Sequence, residues 1–419
     1  MAGRAAEIGR TWRIAIRRIH LWLGLSLGLL FALIGLTGSA LVFYVGIDQA
    51  LHPEARSETA APGPGWASPV WDRALATGRA AGFDPAGKWS FEVTGEGGAI
   101  PARFYPPAAE GVQHPPRQMV WFSPDGLRIV RVAPWGGYLM SWLYQLHMEL
   151  LAGDIGMQIV GWSGVVTLVL LLTGIIAWWP RGSWRKALSF KRRAAPIRRL
   201  HDLHKLSGVT SSIFLVILVA TGVILALPSV KAALLSPAPV PDPRSPESTG
   251  PVLPISTALK AARQVFPAGE LAFIDVPGDA DVPYRIRVQV PGDPHRRFPG
   301  SYAFVDQRSG QIIASQTIGT DGPGSAINAW VRPLHDGSVG GLPVRILAVL
   351  VGVAPTFLLV TGLLHWRRRR RTQAHRAAKP TDRMNFVDAR VDTATTAAAK
   401  RAGTQSRISP TITSQRGKS

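Results

Sequence analysis

Two histidines recur at the same distance from a Thr-Gly pair, and imidazole is the commonest metal ligand among side chains. His147 lies 26 residues before the Thr-Gly at 173–174, and His335 lies 26 residues before the Thr-Gly at 361–362. Each Thr-Gly stands near the end of an apolar run and is followed by Trp at the same offset. The matching intervals indicate an internal duplication in which the two histidines are equivalent.

A second pair of histidines belongs to the same repeat. His20 lies 17 residues before the Thr-Gly at 37–38, and His204 lies 17 residues before the Thr-Gly at 221–222. Ionisable side chains at membrane depth are costly and usually mark a functional site. Four histidines in two symmetric pairs at the ends of apolar runs therefore predict ligands of a membrane-held cofactor. The alternative is that they are structural or interfacial residues.

Four apolar stretches are long enough to cross a bilayer, which takes about 20 helical residues. The sequence therefore predicts an α-helical polytopic membrane protein, a four-helix transmembrane bundle with an internal twofold repeat. The first stretch is longer than the core of a secretory signal, so we interpret it as a retained helix. The predicted spans are 21–45, 155–179, 209–227 and 342–364.

Basic residues are concentrated in three segments of the chain. Segments 1–20, 180–205 and 367–419 hold 28 of the 47 Lys and Arg residues and only five of the 26 acidic residues. By the positive-inside rule, we expect both termini and the middle loop to be cytoplasmic. Nucleic-acid binding is the weaker interpretation, because the basic run at 367–371 directly follows a predicted span.

The chain contains no cysteine. Thiolate zinc sites, iron–sulfur clusters, disulfides and covalent c-type haem attachment all require cysteine and are excluded. Any haem must then be held by histidine or another non-thiol side chain.

The two long polar segments, 46–154 and 228–341, lie outside the cytoplasm in this topology. Each begins with an Ala-rich helical stretch, at 69–79 and 254–263, and continues with strand patterns, so each predicts a small periplasmic α+β domain. The predicted strands are 89–93, 119–122, 284–290, 302–305 and 311–314. The remaining segments are a cytoplasmic N-terminus at 1–20, a cytoplasmic basic loop at 180–208 and a basic, disordered tail at 365–419.

The two repeat units enter the membrane with the same orientation, so a pseudo-twofold axis along the membrane normal can relate them. Equivalent residues then face each other, which predicts a cytoplasmic pair, His20 with His204, and an outer pair, His147 with His335. Two neutral imidazoles without a repeated acidic neighbour suit axial ligation of haem iron better than a tetrahedral zinc site. The prediction is two haem b groups, which suit one-electron transfer.

Other polar residues compete for these roles. His201 lies three residues before His204 and could replace it as ligand, whereas the repeat argues against His365 because its equivalent is Ala177. Arg332 could contact a haem propionate or a lipid headgroup. His295 lies in a polar segment and is expected to be solvated.

A family resemblance rests on four features of the sequence. They are the segment from His20 to Leu25, the segment from Asp202 to Gly208, the Thr-Gly endings with their Trp residues, and the strand-rich segment 255–314. Together they resemble the PepSY-associated transmembrane family of iron-regulated bacterial inner-membrane proteins, over about residues 10–370.

The resemblance implies an activity, because the family includes di-haem siderophore reductases. Such a protein would pass electrons outward to a ferric siderophore or other ferric chelate in the periplasm and release ferrous iron. By position, its haem ligands would be His20, His147, His204 and His335. Some relatives carry a flavin and nicotinamide reductase domain, but this chain shows no dinucleotide fingerprint. Its electron donor is therefore expected to be a quinol or a separate cytoplasmic reductase.

Two other functions remain open at the level of sequence. A non-catalytic sensor or regulator, for example of extracytoplasmic peptidases, would use the PepSY-like domains and would not need the histidines. A transporter is less favoured, because no carboxylate lies within the four predicted spans. Hydrolases lack support, since neither a zinc helix motif nor a nucleophile elbow is present.

Overall fold

The computed structural model describes residues 2–108, 117–180, 182–246 and 250–377. The helices are α1 Ala2–Leu41, α2 Tyr44–Leu51, α3 Val70–Ala80, α4 Leu139–Glu149, α5 Gly153–Trp178, α6 Trp184–Ala187, α7 Pro196–Ala226, α8 Pro228–Leu235, α9 Ile255–Val265, α10 Pro323–Asp336 and α11 Gly341–Ala377. The strands are β1 Lys88–Glu92, β2 Ile100–Tyr105, β3 Gln118–Phe122, β4 Ile129–Pro134, β5 Glu270–Val276, β6 Tyr284–Gln289, β7 Ser301–Val305 and β8 Ile312–Gln316.

Within these described ranges, four helices are long and apolar enough to cross a membrane, at Thr11–Leu41, Gly153–Trp178, Pro196–Ala226 and Ser338–His375. The chain is therefore a polytopic helical membrane protein. Three of these helices extend beyond the predicted spans into the basic segments. Helix α7 begins at Pro196, where the missing N–H of proline costs nothing, so the end of the predicted loop 180–208 is helical. Helix α11 likewise makes the first part of the predicted tail 365–419 helical, and residues 378–419 lie outside the described residues.

The four spans form a bundle in which α1 packs against α5 and α11, and α7 packs against the same two helices. Helices α1 and α7 thus occupy opposite corners. Small residues allow the close crossing of α1 with α11: a Cβ on Gly35 would strike the backbone oxygen of Gly352. One turn later, Ser39 Oγ donates to the carbonyl of Val349 at 3.1 Å.

Two short helices, α4 and α10, precede the spans α5 and α11 and were not predicted from the sequence. Helix α4 packs against α1 and α5, and α10 packs against α7 and α8. The chain reverses after α4 through Leu150 and Leu151, with φ of 51° and 59°. After α10 it turns through Gly337 and Gly341, with φ of 74° and 61°. Glycine adopts this conformation freely, whereas leucine does so at a cost of about 1–2 kcal/mol per residue.

The polar segments build one sheet. Its eight strands are antiparallel in the order β4-β3-β2-β1-β5-β6-β7-β8, and the β1–β5 ladder joins the two halves. The sequence predicted two small α+β domains, and the structure joins them edge to edge into a continuous sheet. Helices α3 and α9 lie where they were predicted, but strands β2, β4 and β5 were not anticipated. Edge-to-edge pairing removes two exposed strand edges, which would otherwise invite association with other chains.

Both halves share one hydrophobic core beneath α3 and α9, in which Trp71, Trp89, Ile274 and Ile286 are nearly inaccessible to solvent. A cap also ties the halves together. The Asp72 carboxylate, on α3, accepts hydrogen bonds from the first two backbone amides of α9, at 2.7 and 3.2 Å. The helix α9 has no capping side chain of its own at Pro254. One half of the sheet layer therefore caps the helix of the other half.

Candidate cofactor site: two histidine pairs

The first pair lies at the end of the bundle that carries the basic segments, and we call it the basic-side pair. His20 on α1 and His204 on α7 face each other from opposite corners of the bundle. Their ring centroids are 6.3 Å apart with an interplanar angle of 76°. The structure thus brings these two histidines together, one from each repeat unit.

The second pair lies at the end of the bundle next to the sheet, and we call it the sheet-side pair. His147 on α4 and His335 on α10 have ring centroids 6.1 Å apart and an interplanar angle of 44°. Burial, with repulsion from His335 second, lowers the pKa of His147 to about 4. Burial also lowers the pKa of His335. Both rings are therefore neutral near pH 7, the form that ligates metals.

Each histidine rests on a Thr-Gly pair of a neighbouring helix, and we call this contact a Thr-Gly seat. In the seat on α1, His147 Nδ1 lies 3.0 Å from the carbonyl oxygen of Ile34 and 3.2 Å from Thr37 Oγ1. A Cβ on Gly38 would come within 2.8 Å of His147 Cε1, so only glycine lets the ring approach this closely. The seat holds the imidazole by its Nδ1 edge.

The other three histidines repeat this geometry. In each case Nδ1 meets the carbonyl three residues before the Thr, and the Gly lies against Cε1 of the ring. The distances from Nδ1 to carbonyl are 3.1 Å for His20 to Leu170, 3.0 Å for His204 to Leu358 and 3.0 Å for His335 to Leu218. The would-be Cβ distances to Cε1 are 2.9 Å at Gly174, 3.2 Å at Gly362 and 3.0 Å at Gly222.

The seats decide which nitrogen is available for chemistry. A backbone carbonyl can only accept, so Nδ1 carries the proton and Nε2 keeps its lone pair. Metal-ligating histidines are oriented in the same way by an outer hydrogen bond on the non-ligating nitrogen. Sequence reasoning used the Thr-Gly pairs only as markers of the repeat and missed this contact. Their fourfold recurrence with the histidines is the signal that could have revealed it.

The spacing of the rings fits a metal ion between them. When two imidazoles lie on opposite sides of a metal ion, the metal stands about 2 Å from each ligating nitrogen, which lies about 1 Å from its ring centroid, so the centroids lie about 6 Å apart. Among the described residues, no group of three or more His, Cys, Asp or Glu side chains could hold a metal ion. Each pair therefore suits a metal whose remaining ligands come with a prosthetic group, as in haem.

The competing histidine lies outside the basic-side pair. The ring centroid of His201 lies 5.7 Å from that of His365 with the rings tilted, and its side chain is 49% exposed, so His204 rather than His201 faces His20. Arg332 lies on α10 one turn before His335, with its guanidinium 4.6 Å from the ring centroid of Phe298.

The expectation that His295 is solvated is wrong. Its side chain is buried, and its Nε2 lies 3.0 Å from Asp336 Oδ2 at the end of α10. The contact fastens the loop between β6 and β7 to the helix that carries His335. Sequence reasoning missed it because polar composition alone does not show which loops fold back onto a helix.

Comparison with known proteins identifies the family. Among curated proteins, none matches the chain. The family model of the PepSY-associated TM region matches residues 17–369, a stretch that includes all four seated histidines and both halves of the sheet. The chain therefore belongs to the PepSY-associated transmembrane family.

Proposed function

We propose that this chain is a membrane oxidoreductase that binds two haem b groups, one in each histidine pair, and reduces ferric siderophores or other ferric chelates. The observation that carries the proposal is the set of four identical seats. Each leaves an Nε2 lone pair directed away from the helix that holds Nδ1, and the rings of each pair stand at the separation that a shared metal requires. Haem iron held by two histidines has no open position for oxygen and supplies one-electron transfer.

The two sites lie near opposite ends of the helix bundle. His20 and the Thr37 seat of His147 lie 17 residues apart on α1. This corresponds to about 25 Å along the helix axis, most of the thickness of the hydrocarbon core. The basic segments support cytoplasmic termini, so in a bacterial inner membrane the sheet would lie in the periplasm. The donor would be a quinol or a separate cytoplasmic reductase.

The first test is the reduced-minus-oxidised absorption spectrum of the purified full-length protein, with haem quantified per chain. The expected result is a low-spin b-type spectrum with about two haems per chain. His147→Ala and His335→Ala should each remove one haem and leave the other. His52→Ala is the matched control, because His52 lies on the sheet side and its imidazole pairs with Glu54, at 3.6 Å.

A second measurement tests the reaction itself. Under anaerobic conditions, the chemically reduced protein should be reoxidised by a ferric chelate, with ferrous iron appearing in equal amount to the electrons lost. A folded preparation that stays free of haem despite sufficient haem supply would contradict the proposal. It would favour the regulator, in which the sheet carries the function and the histidines are dispensable.

A further inference from the structure

Four arginines surround two stacked phenylalanines on the face of the sheet opposite α3 and α9. Phe273 on β5 and Phe298 in the β6–β7 loop stack with centroids 5.7 Å apart and an interplanar angle of 13°. Distances are from guanidinium carbon to ring centroid. Arg103 lies 4.9 Å and Arg287 5.1 Å from Phe273, and Arg332 lies 4.6 Å and Arg297 5.3 Å from Phe298. We call these four arginines the arginine cluster.

Only two of these four arginines have an acidic partner among the described residues. The buried carboxylate of Glu92 accepts hydrogen bonds from Arg103 at 2.8 Å and Arg297 at 2.7 Å. Among the described residues, no carboxylate forms an ion pair with Arg287 or Arg332. Arg287 and Arg332 therefore lack a carboxylate partner, and the four arginines with Glu92 carry a net charge of about +3.

The carboxylate in the loop of Phe298 is already engaged. Asp293, in the same loop as Phe298, accepts hydrogen bonds from the backbone amides of His295 and Gly300, both at 2.9 Å. Meanwhile Arg287 Nε is buried and has no hydrogen-bond partner within the described part of the chain. Leaving a buried donor unpaired has a free-energy cost, which is larger when the group is charged. An anionic ligand at this face would remove that cost.

The arginine cluster adjoins the sheet-side pair. Arg332 and His335 lie three residues apart on α10 and therefore on the same side of that helix. Arg332 Nη2 lies 3.4 Å from the hydroxyl of Tyr144, on the helix that carries His147. The contact of His295 with Asp336 holds the loop of Phe298 against the same region. A ligand bound to the arginines would thus lie beside the proposed electron exit.

We infer that the arginine cluster binds an anionic ferric chelate, of the catecholate or hydroxycarboxylate class, in preference to a cationic one. This inference rests on the proposed function. Guanidinium groups pair with carboxylate and phenolate oxygens through their N–H fork and stack on aromatic faces, so a catecholate satisfies both modes. Haem propionates are the other source of anionic oxygens at this place, and the experiment must separate the two.

The test measures binding without electron transfer. Isothermal titration calorimetry of the oxidised full-length protein would use two redox-inert gallium(III) complexes, a trianionic tris-catecholate and a monocationic trihydroxamate. The wild type should bind the trianion at least about tenfold more tightly. Arg287→Gln and Arg332→Gln should each weaken its binding by about tenfold, the effect of one charge-assisted hydrogen bond. Arg332 is exposed, so its variant keeps the test valid if Arg287→Gln fails to fold.

Arg244→Gln is the matched control, because it removes one positive charge from an exposed ion pair with Asp281, at 3.2 Å. Equal affinity for the two complexes, with no effect of either cluster variant, would overturn the inference. So would a loss of sheet-side haem, or a shift in its potential, at unchanged gallium affinity, because the arginines would then serve the propionates. A haem-free protein that still prefers the trianion would instead refute the proposed function and leave the anion site standing.

Discussion

Replacing Gly38 with alanine should weaken the sheet-side site and leave the basic-side site intact. The new Cβ would lie 2.8 Å from His147 Cε1, at least about 0.6 Å closer than an ordinary carbon–carbon contact. The Cβ is fixed by the α1 backbone, so the imidazole must move by a comparable distance. Metal–ligand distances tolerate about 0.2 Å, and changes in the groups that orient a ligand weaken metal binding roughly 10–100-fold.

The assay is haem content per chain after expression with limited haem, read with the reduced-minus-oxidised spectrum. Gly38→Ala should hold about one haem, with the spectral contribution of the basic-side site preserved. Gly174→Ala should show the reciprocal loss, because its Cβ would lie 2.9 Å from His20 Cε1. Gly46→Ala is the control, since its Cβ would meet no heavy atom within 4 Å. Wild-type haem content in both seat variants would refute the role assigned to the seats.

Three further predictions concern the ligand choice and the sheet. His201→Ala should keep both haems whereas His204→Ala should lose one, and loss of haem in the His201 variant alone would reverse the assignment. Asp72→Ala should lower the free energy of unfolding of the sheet layer by about 1–2 kcal/mol through the lost cap on α9, and a change near zero in chemical denaturation would contradict the cap.

Burial raises the pKa of Glu92, but the charges of Arg297 and Arg103 outweigh it and hold the pKa below its ordinary value of 4.5. Its stabilising contribution is present above pH 4.5 and is lost as the pH falls through the folded-state pKa. Glu92→Gln should therefore lower the free energy of unfolding by roughly 2–4 kcal/mol at pH 7, and by progressively less below pH 4.5. The range is set below that of a fully buried ion pair because Arg297 is partly exposed. Thermal unfolding of the wild type and the variant across this pH range is the measurement. A stability difference between them that does not change with pH would contradict the ion-pair account.

The membrane architecture could be predicted because its signals are local. Apolar length and basic flanks identify each span without knowledge of its neighbours. The joined sheet carries no such signal. Strands β1 and β5 lie far apart in the sequence, one in each repeat unit, and their ladder depends on backbone hydrogen bonds that most residue types can make. In β5 the residues 271–274 are all apolar, and a register shift lies between Leu271 and Phe273, so this strand lacks the alternation by which sequence patterns reveal strands.

The histidine pairs could be predicted from symmetry, whereas their seats could not. The spacing that revealed the repeat counts from His147 forward to the Thr-Gly at 173–174. In the structure His147 rests on the Thr-Gly at 37–38, which precedes it by an entire polar segment. Short helices α4 and α10, which carry the sheet-side pair, lie within segments whose overall composition is polar. Haem binding and chelate reduction remain predictions.

The division of contacts between the two repeat units bears on the origin of the chain. Every Thr-Gly seat joins two helices of the same unit, as in His147 on Thr37, whereas both histidine pairs and the β1–β5 ladder join different units. Each unit thus carries one histidine of each pair, with its Thr-Gly seat, and one strand edge that pairs with the other unit. Two identical copies would form the whole arrangement. This is the contact pattern of a symmetric homodimer whose two subunits are joined in one chain, the pattern that duplication and fusion of one unit would produce.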